Sequence, residues 1–186
     1  MEGDSNQLAV QWIWEGVTLE ALEETATWLS ESRQLGSGAA HFFSMAGRLL
    51  MHARFDYFLI EPMFFQAVIG LERALRIHYK APRETYTEMS EGNLDSFRNL
   101  FKRAVEENII GDEIFGEIRP LPKELVSLCV EEPKTYSELL ASLVPELRNR
   151  YFHGNWFLIG EFYPLTIQLR KCADVLKSQG SKSLVE

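Results

Sequence analysis

The sequence predicts an all-α fold, an antiparallel bundle of about five helices with an N-terminal extension. After Gly38, apolar residues recur at helical spacing along most of the chain, and Gly or Pro residues separate the resulting segments. The 186 residues include 12 Phe, 4 Trp and 6 Tyr, which is enough large apolar surface for one core. A composition of 46% apolar and 25% charged residues excludes a disordered or low-complexity chain.

Residues 1–36 form the predicted extension, which ends at the breaker Gln34-Leu-Gly-Ser-Gly38. The alternation of apolar and polar residues over 10–15 suits a short edge strand. Thr18 then caps a helix predicted from Leu19 to about Arg33. The predicted apolar face of this helix consists of Leu19, Leu22, Ala26 and Leu29.

The charge of the chain is unevenly distributed. The net charge is −8, yet residues 1–32 carry seven acidic residues and no Lys or Arg. Residues 148–183 carry six bases against two acids, so the net acidity of the chain does not exclude a polyanionic partner for this part. Two interpretations of the acidic extension stay open: a helix whose acids face water, or a segment that lies across a basic cleft.

Residues 37–180 form the predicted bundle, and residues 181–186 a frayed tail. Pro62 suits the first turn of a helix, and Thr135-Tyr-Ser-Glu138 is a capping box that begins another. Pro145 is expected to kink or restart that second helix. The predicted helices are Ala39 to about Leu59, Pro62–Tyr79, one from Asn93 or Asp95 through Val105, a short one before Cys129, Thr135 to about Gly154, and Phe162 to about Lys177.

The sequence offers no sign of export, membrane insertion or metal binding. The acidic N-terminus is unlike a signal or transit peptide, and the longest stretch without Lys, Arg, Asp or Glu, Gln34–Gly47, is too short to span a bilayer. The two cysteines, Cys129 and Cys172, lack metal-type spacing. We therefore expect a cytoplasmic protein without a cofactor, a metal or a membrane partner.

The segment Glu146-Leu-Arg-Asn-Arg-Tyr-Phe-His-Gly154 carries the strongest chemical signal. On a helix, Asn149 and Arg150 lie on nearly the same face as His153. Arg148 lies five positions before His153, which corresponds to about 140° of rotation. One straight helix therefore cannot direct Arg148 and His153 at a single atom. Either Gly154 unwinds the helix end, or two copies of the helix face each other.

This Arg–Asn–three residues–His–Gly pattern near the end of a helical bundle resembles the signature of the HEPN superfamily (higher eukaryotes and prokaryotes nucleotide-binding domains). The resemblance extends more weakly to Phe64–Leu75, which is similar to an early amphipathic helix of that fold. It implies a homodimer whose two motifs line one cleft, RNA as partner, and metal-independent cleavage by attack of a ribose 2′-OH. It also suggests a toxin or phage-defence role, with an antitoxin or regulatory protein as a further partner.

Six residues are candidates for this site. His153 would accept the 2′-OH proton, because histidine titrates near pH ~6.5. Arg148 would bind the phosphoryl oxygens of the transition state, and Asn149 would hold the RNA backbone or orient His153. Arg150 and Tyr151 would contact phosphate or base. Glu72 is counted with the substrate-binding residues, and it is either a buried polar partner of the motif or an exposed helix charge.

A structural interpretation competes with each of these assignments. Arg148 could pair with Glu146 or Glu138, and His153 could simply cap a helix C-terminus. Arg73 and His78 repeat the five-residue spacing and are predicted to be a structural helix end. The alternative function is a non-catalytic dimer of the same fold that binds RNA, a nucleotide or a protein partner.

Overall fold

A computed structural model of the protein describes residues 17–31, 35, 37–53, 55–81, 96–116, 121–129, 132–153 and 162–182. Within these ranges the fold is all-α, as predicted, with six helices of ten or more residues, one of four, and no strand. The helices are α1 (Leu19–Ser30), α2 (Ser37–Ala53), α3 (Ile60–His78), α4 (Phe97–Glu106), α5 (Lys123–Val126), α6 (Tyr136–Phe152) and α7 (Phe162–Lys182). The predicted strand at 10–15 and residues 183–186 of the tail lie outside the described residues.

Helix α3 is the centre of the bundle. It packs against α2 on one side and α7 on the other, while α1 packs on α2, and α4 packs on α6. The side chains of α3 are buried around most of its circumference, as expected for a central helix. The largest fully buried side chains are Phe43, Phe64, Phe101, Phe115 and Phe162.

The helix predicted within the N-terminal extension packs into this bundle. Thr18 caps α1 as predicted, since its hydroxyl accepts a hydrogen bond from the Ala21 N–H at 3.1 Å. Leu22, Ala26 and Leu29 are buried in the common core, whereas Leu19 is 52% exposed and is not part of the apolar face.

The far end of α1 is held by α7. The guanidinium Nη1 of Arg170 donates to the carbonyl oxygens of Trp28 (2.7 Å) and Leu29 (3.2 Å). These carbonyls belong to the last turn of the helix, where backbone acceptors lack partners within the helix. Helix α1 therefore ends at Ser30, before the predicted Arg33, with its C-terminus fixed to the bundle.

Helix α2 is shorter than predicted. The sequence predicts one helix from Ala39 to about Leu59, but α2 ends at Ala53 and a single 3₁₀ turn, Tyr57–Leu59, leads into α3. The side chain of Asp56 accepts a hydrogen bond from the Phe58 N–H at 3.2 Å. This Asp56 cap begins a new turn and changes the direction of the chain, since Asp favours caps over helix interiors.

Helix α3 approaches α2 closely at Gly70. A Cβ atom at this position would lie 2.8 Å from the ring of Phe43, a side chain that is fully buried. Glycine is therefore required here by space, not by backbone conformation. Pro62 lies in the first turn of α3, as predicted.

The remaining boundaries differ from the sequence predictions in small ways. The cap of α4 is Ser96, whose hydroxyl accepts from the Asn99 N–H at 3.3 Å, in place of Asn93 or Asp95. Helix α6 continues through Pro145 without restarting. Helix α7 runs to Lys182, beyond the predicted Lys177.

Candidate functional site

The N-terminus of α6, the helix that carries the motif, is fixed in two ways. The hydroxyl of Thr135 accepts from the Glu138 N–H at 3.2 Å, which confirms the cap. Glu138 itself reaches back to the N–H of Lys134 at 2.7 Å, one residue before the one expected for a capping box. These bonds set where the helix begins, and therefore the rotation at which it presents residues 148–153.

Asp112, in a 3₁₀ turn at Asp112–Ile114, holds the same helix end from outside. Its two carboxylate oxygens accept from the backbone N–H groups of Ser137 (2.8 Å) and Tyr136 (3.2 Å). Burial alone would raise the pKa of Asp112, but the hydrogen bonds from Ser137 and Tyr136 outweigh it and hold the pKa below its usual range. A negative charge at a helix N-terminus is also favoured by the helix dipole.

Arg148 lies against α3. Its Nη2 is 3.2 Å from the Oε2 of Glu72, and the exposed fractions of the two side chains are 17% and 11%. Its Nη1 donates to the Oδ1 of Asn149 at 3.4 Å, and its guanidinium lies 5.5 Å from the centre of the Phe152 ring. The structure therefore brings three of the predicted site residues, Glu72, Arg148 and Asn149, into direct contact.

The other oxygen of Glu72 binds a second arginine. Arg76, one turn later on α3, places its Nε at 3.1 Å and its Nη2 at 3.0 Å from Oε1, and its side chain is 5% exposed. Glu72 is thus held between two guanidinium groups, and the three side chains carry a net charge of +1. Sequence reasoning missed Arg76, although the four-residue spacing from Glu72 is a usual signal of a helical ion pair.

Tyr151 faces the core. Its ring is stacked on the buried ring of Phe65, with centroids 3.7 Å apart and planes inclined by 20°. Phe65 in turn makes an edge contact with Phe162 of α7. This arrangement fixes the C-terminal turn of α6 against α3, and it gives Tyr151 a packing role beside the substrate contact expected from the sequence.

Arg150 belongs to a second group of charges on a different face of α6. Its Nε donates to Glu146 Oε1 at 2.8 Å, and the Nη2 of Arg98, from α4, donates to Glu146 Oε2 at 3.1 Å. Glu146 therefore bridges two arginines, as Glu72 does. Sequence reasoning missed Arg98, because its partner lies 48 positions away in the chain.

His153 ends α6. Its backbone N–H bonds to the carbonyl of Asn149 at 3.1 Å, and its side chain is exposed. Because the chain is helical from Tyr136 to Phe152, the rotation between Arg148 and His153 stays near 140°. Within one chain, Arg148 is turned toward α3 and His153 toward solvent. Gly154 lies outside the described residues.

In the second Arg–His pair of the sequence, Arg73 and His78, the histidine has a structural role. The Nδ1 of His78 lies 3.1 Å from the carbonyl oxygen of Leu176, so this imidazole joins the end of α3 to α7. The bases of α7 are partly used in the same way, since Lys171 donates to the carbonyl of Phe115 at 2.9 Å. The positive charge counted over residues 148–183 is therefore not all available to a ligand.

Comparisons with known proteins leave the site to be interpreted from its own geometry. The chain matches no protein-family model, no curated protein and no solved structure. In the described ranges, no group of three His, Cys, Asp or Glu side chains is placed to hold a metal ion. No helix in these ranges is long and apolar enough to cross a membrane.

Proposed function

We propose that this protein is a HEPN-like endoribonuclease that cleaves RNA without a metal, in a site formed between two copies of the chain. The observation that carries the proposal is the end of α6, where Arg148 is held by Glu72 while His153 is exposed one turn further on. Both side chains are fixed to the same short segment, yet they diverge. If two such segments faced each other across a two-fold axis, the Arg148 of one chain and the His153 of the other would line one cleft.

The chemistry follows from the two side chains. An imidazole at His153 accepts the proton of a ribose 2′-OH, and the 2′-oxygen forms a bond to the adjacent phosphorus. The bond from phosphorus to the 5′-oxygen breaks, and that oxygen takes up a proton from water as it leaves. The products are a 2′,3′-cyclic phosphate and a free 5′-OH. Arg148 stabilises the extra negative charge on the phosphoryl oxygens, and Asn149 binds the RNA backbone or orients the reacting groups.

Glu72 and Arg76 support this role by preorganisation. A guanidinium that a carboxylate already holds in place loses little conformational freedom when it binds a phosphate. More of its interaction energy is therefore left to stabilise the transition state. Arg76 keeps the group positive, since its charge balances that of Glu72. Such an enzyme would act on cytoplasmic RNA as a toxin or in phage defence, and an antitoxin or regulatory protein would restrain it.

A second function is favoured by one specific contact. Because Arg148 is mostly buried in its pair with Glu72, its charge also serves to join α6 to α3. A helical dimer that binds RNA, a nucleotide or a protein partner without cleaving it would keep the same contact. In that case His153 would act only as the last residue of α6.

The test is an RNA cleavage assay in EDTA with the purified full chain. The wild type is expected to cleave, and His153→Ala and Arg148→Ala are each expected to lower the rate by about 10²–10⁴-fold. Arg73→Ala and His78→Ala, with the same spacing on α3, are the matched controls, and circular dichroism checks that every variant folds. RNA binding without cleavage by the wild type would favour the second function. Cleavage that stops in EDTA would contradict the proposed chemistry.

A further inference from the structure

Arg98, Glu146 and Arg150 form a second charged cluster beside the candidate site. Glu146 binds the Nη2 of Arg98 at 3.1 Å and the Nε of Arg150 at 2.8 Å. The exposed fractions are 34% for Arg98, 22% for Glu146 and 38% for Arg150. The cluster carries a net charge of +1 and is far more open than the buried pair of Glu72 and Arg76.

Each of the two arginines uses only part of its hydrogen-bonding capacity. Among the described residues, Arg98 bonds through Nη2 and Arg150 through Nε, both to Glu146. A guanidinium has five N–H donors in a planar fork. The side chains of Arg98 and Arg150 are 34% and 38% exposed, and the carboxylate fixes their orientation. Two guanidinium groups held in this way suit the oxygen atoms of a phosphate diester.

The cluster lies on the His153 side of α6. Arg150 precedes His153 by three positions, so the two point in nearly the same direction, whereas Arg148 points toward α3. Arg98 lies in the first turn of α4, where the helix dipole disfavours a cation and favours an anion. Helix stability therefore does not explain an arginine at position 98.

We propose that Arg98 and Arg150 form a phosphate subsite for single-stranded RNA, which binds a backbone phosphate neighbouring the one that is cleaved. Glu146 is the positioning residue that holds both guanidinium groups. This inference rests on the proposed ribonuclease function for the identity of the ligand, and it adds a substrate requirement. The RNA must extend at least one phosphate beyond the scissile one.

The test measures binding of a ten-nucleotide single-stranded RNA by fluorescence anisotropy, with His153→Ala in every protein to prevent cleavage. Adding Arg98→Gln is expected to weaken RNA binding by about three- to tenfold. It is also expected to reduce the steepness of the plot of log binding constant against log salt concentration by about 0.7, the value for one lost phosphate contact on a single strand. Arg103→Gln is the matched control, because Arg103 lies on the same helix and also pairs with a glutamate, Glu107. It is expected to change neither quantity.

Glu146→Gln separates the subsite from a purely structural contact. Removing the carboxylate frees both guanidinium groups from the orientation that it fixes, so RNA affinity and the salt slope are expected to fall, although the substitution also removes a negative charge. If the cluster only joined α4 to α6, Glu146→Gln and Arg98→Gln would both lower stability, and neither would change the salt slope. That result, or a protein that does not bind the RNA, would overturn the subsite. A protein that binds RNA with these responses but does not cleave it would overturn the ribonuclease alone.

Discussion

Glu72 and Arg148 are 76 positions apart in the chain, and their nearest side-chain atoms meet at 3.2 Å between α3 and α6. The contact turns Arg148 away from the direction taken by His153. It also places a buried negative charge between two positive ones, because Arg76 occupies the other oxygen of Glu72. The stability of the bundle and the geometry of the candidate site therefore depend on the same carboxylate.

Glu72→Gln is expected to destabilise the protein more than Arg148→Ala. The amide removes the negative charge that Arg76 and Arg148 share, and breaking these two ion pairs costs about 2–4 kcal/mol for side chains this poorly exposed. Arg148→Ala leaves Glu72 paired with Arg76, so its cost is about 1 kcal/mol. Urea unfolding followed by circular dichroism measures both. If Glu72→Gln and Arg148→Ala lowered the free energy of unfolding equally, Arg76 would not share the carboxylate of Glu72.

Asp112→Asn is expected to cost about 1 kcal/mol of unfolding free energy near neutral pH, because it weakens the cap on α6. The pKa of Asp112 is lowered from its ordinary 3.8. Its contribution is therefore complete above pH 3.8 and is lost as the pH falls through the lower, folded-state value. The difference between wild type and variant should shrink across that acid range.

Urea unfolding at a series of pH values from neutral to strongly acidic checks this prediction. Asp56→Asn is the control, since Asp56 caps a single 3₁₀ turn through one hydrogen bond. A constant difference between wild type and Asp112→Asn at every pH would contradict the assigned role.

Gly70→Ala is expected to destabilise the protein by about 1–3 kcal/mol, the usual cost of forcing an extra methyl group into a packed core. The new Cβ would lie 2.8 Å from the buried ring of Phe43. Gly38→Ala is the matched control in a helix, because no atom lies within 4 Å of its Cβ position, and alanine favours helix over glycine. Thermal unfolding should show opposite shifts for the two variants, and a neutral Gly70→Ala would show that α2 and α3 can separate.

Phe152→Glu is expected to weaken a homodimer. Phe152 is 58% exposed and lies beside Arg148, at the helix end that we propose to face its copy. Ile77→Glu is the control, because Ile77 is 55% exposed at the opposite end of α3 from the Phe65–Tyr151 contact. Light scattering at several concentrations measures assembly. A wild type that is monomeric throughout would remove the basis for a composite site.

Features that depend on neighbouring residues were predictable from the sequence. The caps at Thr18 and Thr135 involve an acceptor and a donor three positions apart, so the pattern contains both partners. The all-α fold follows from the same local periodicity. The end of α2 was not predicted, because helix and turn compete over residues 54–59 and a single Asp56 cap decides between them.

Features that depend on distant residues were only partly predictable. The sequence marks Arg148 as a candidate and offers Glu72 as a buried partner of the motif, but it leaves Glu72 open as an exposed helix charge, because the contact joins residues 76 positions apart on two helices. Similarly, no local pattern connects Arg98 with Glu146. Periodicity also does not settle which residues are buried: Leu19 fits the apolar face of α1 by spacing, yet it is exposed.

The pair of Arg76 and Glu72 has a consequence for the order of folding. Both residues belong to α3, so their ion pair forms as soon as that helix does. The carboxylate of Glu72 is therefore neutralised within α3 itself and does not depend on α6 for a counter-ion. If α6 docks after α3 has formed, the contribution of Arg148 is expected to appear mainly in the unfolding rate.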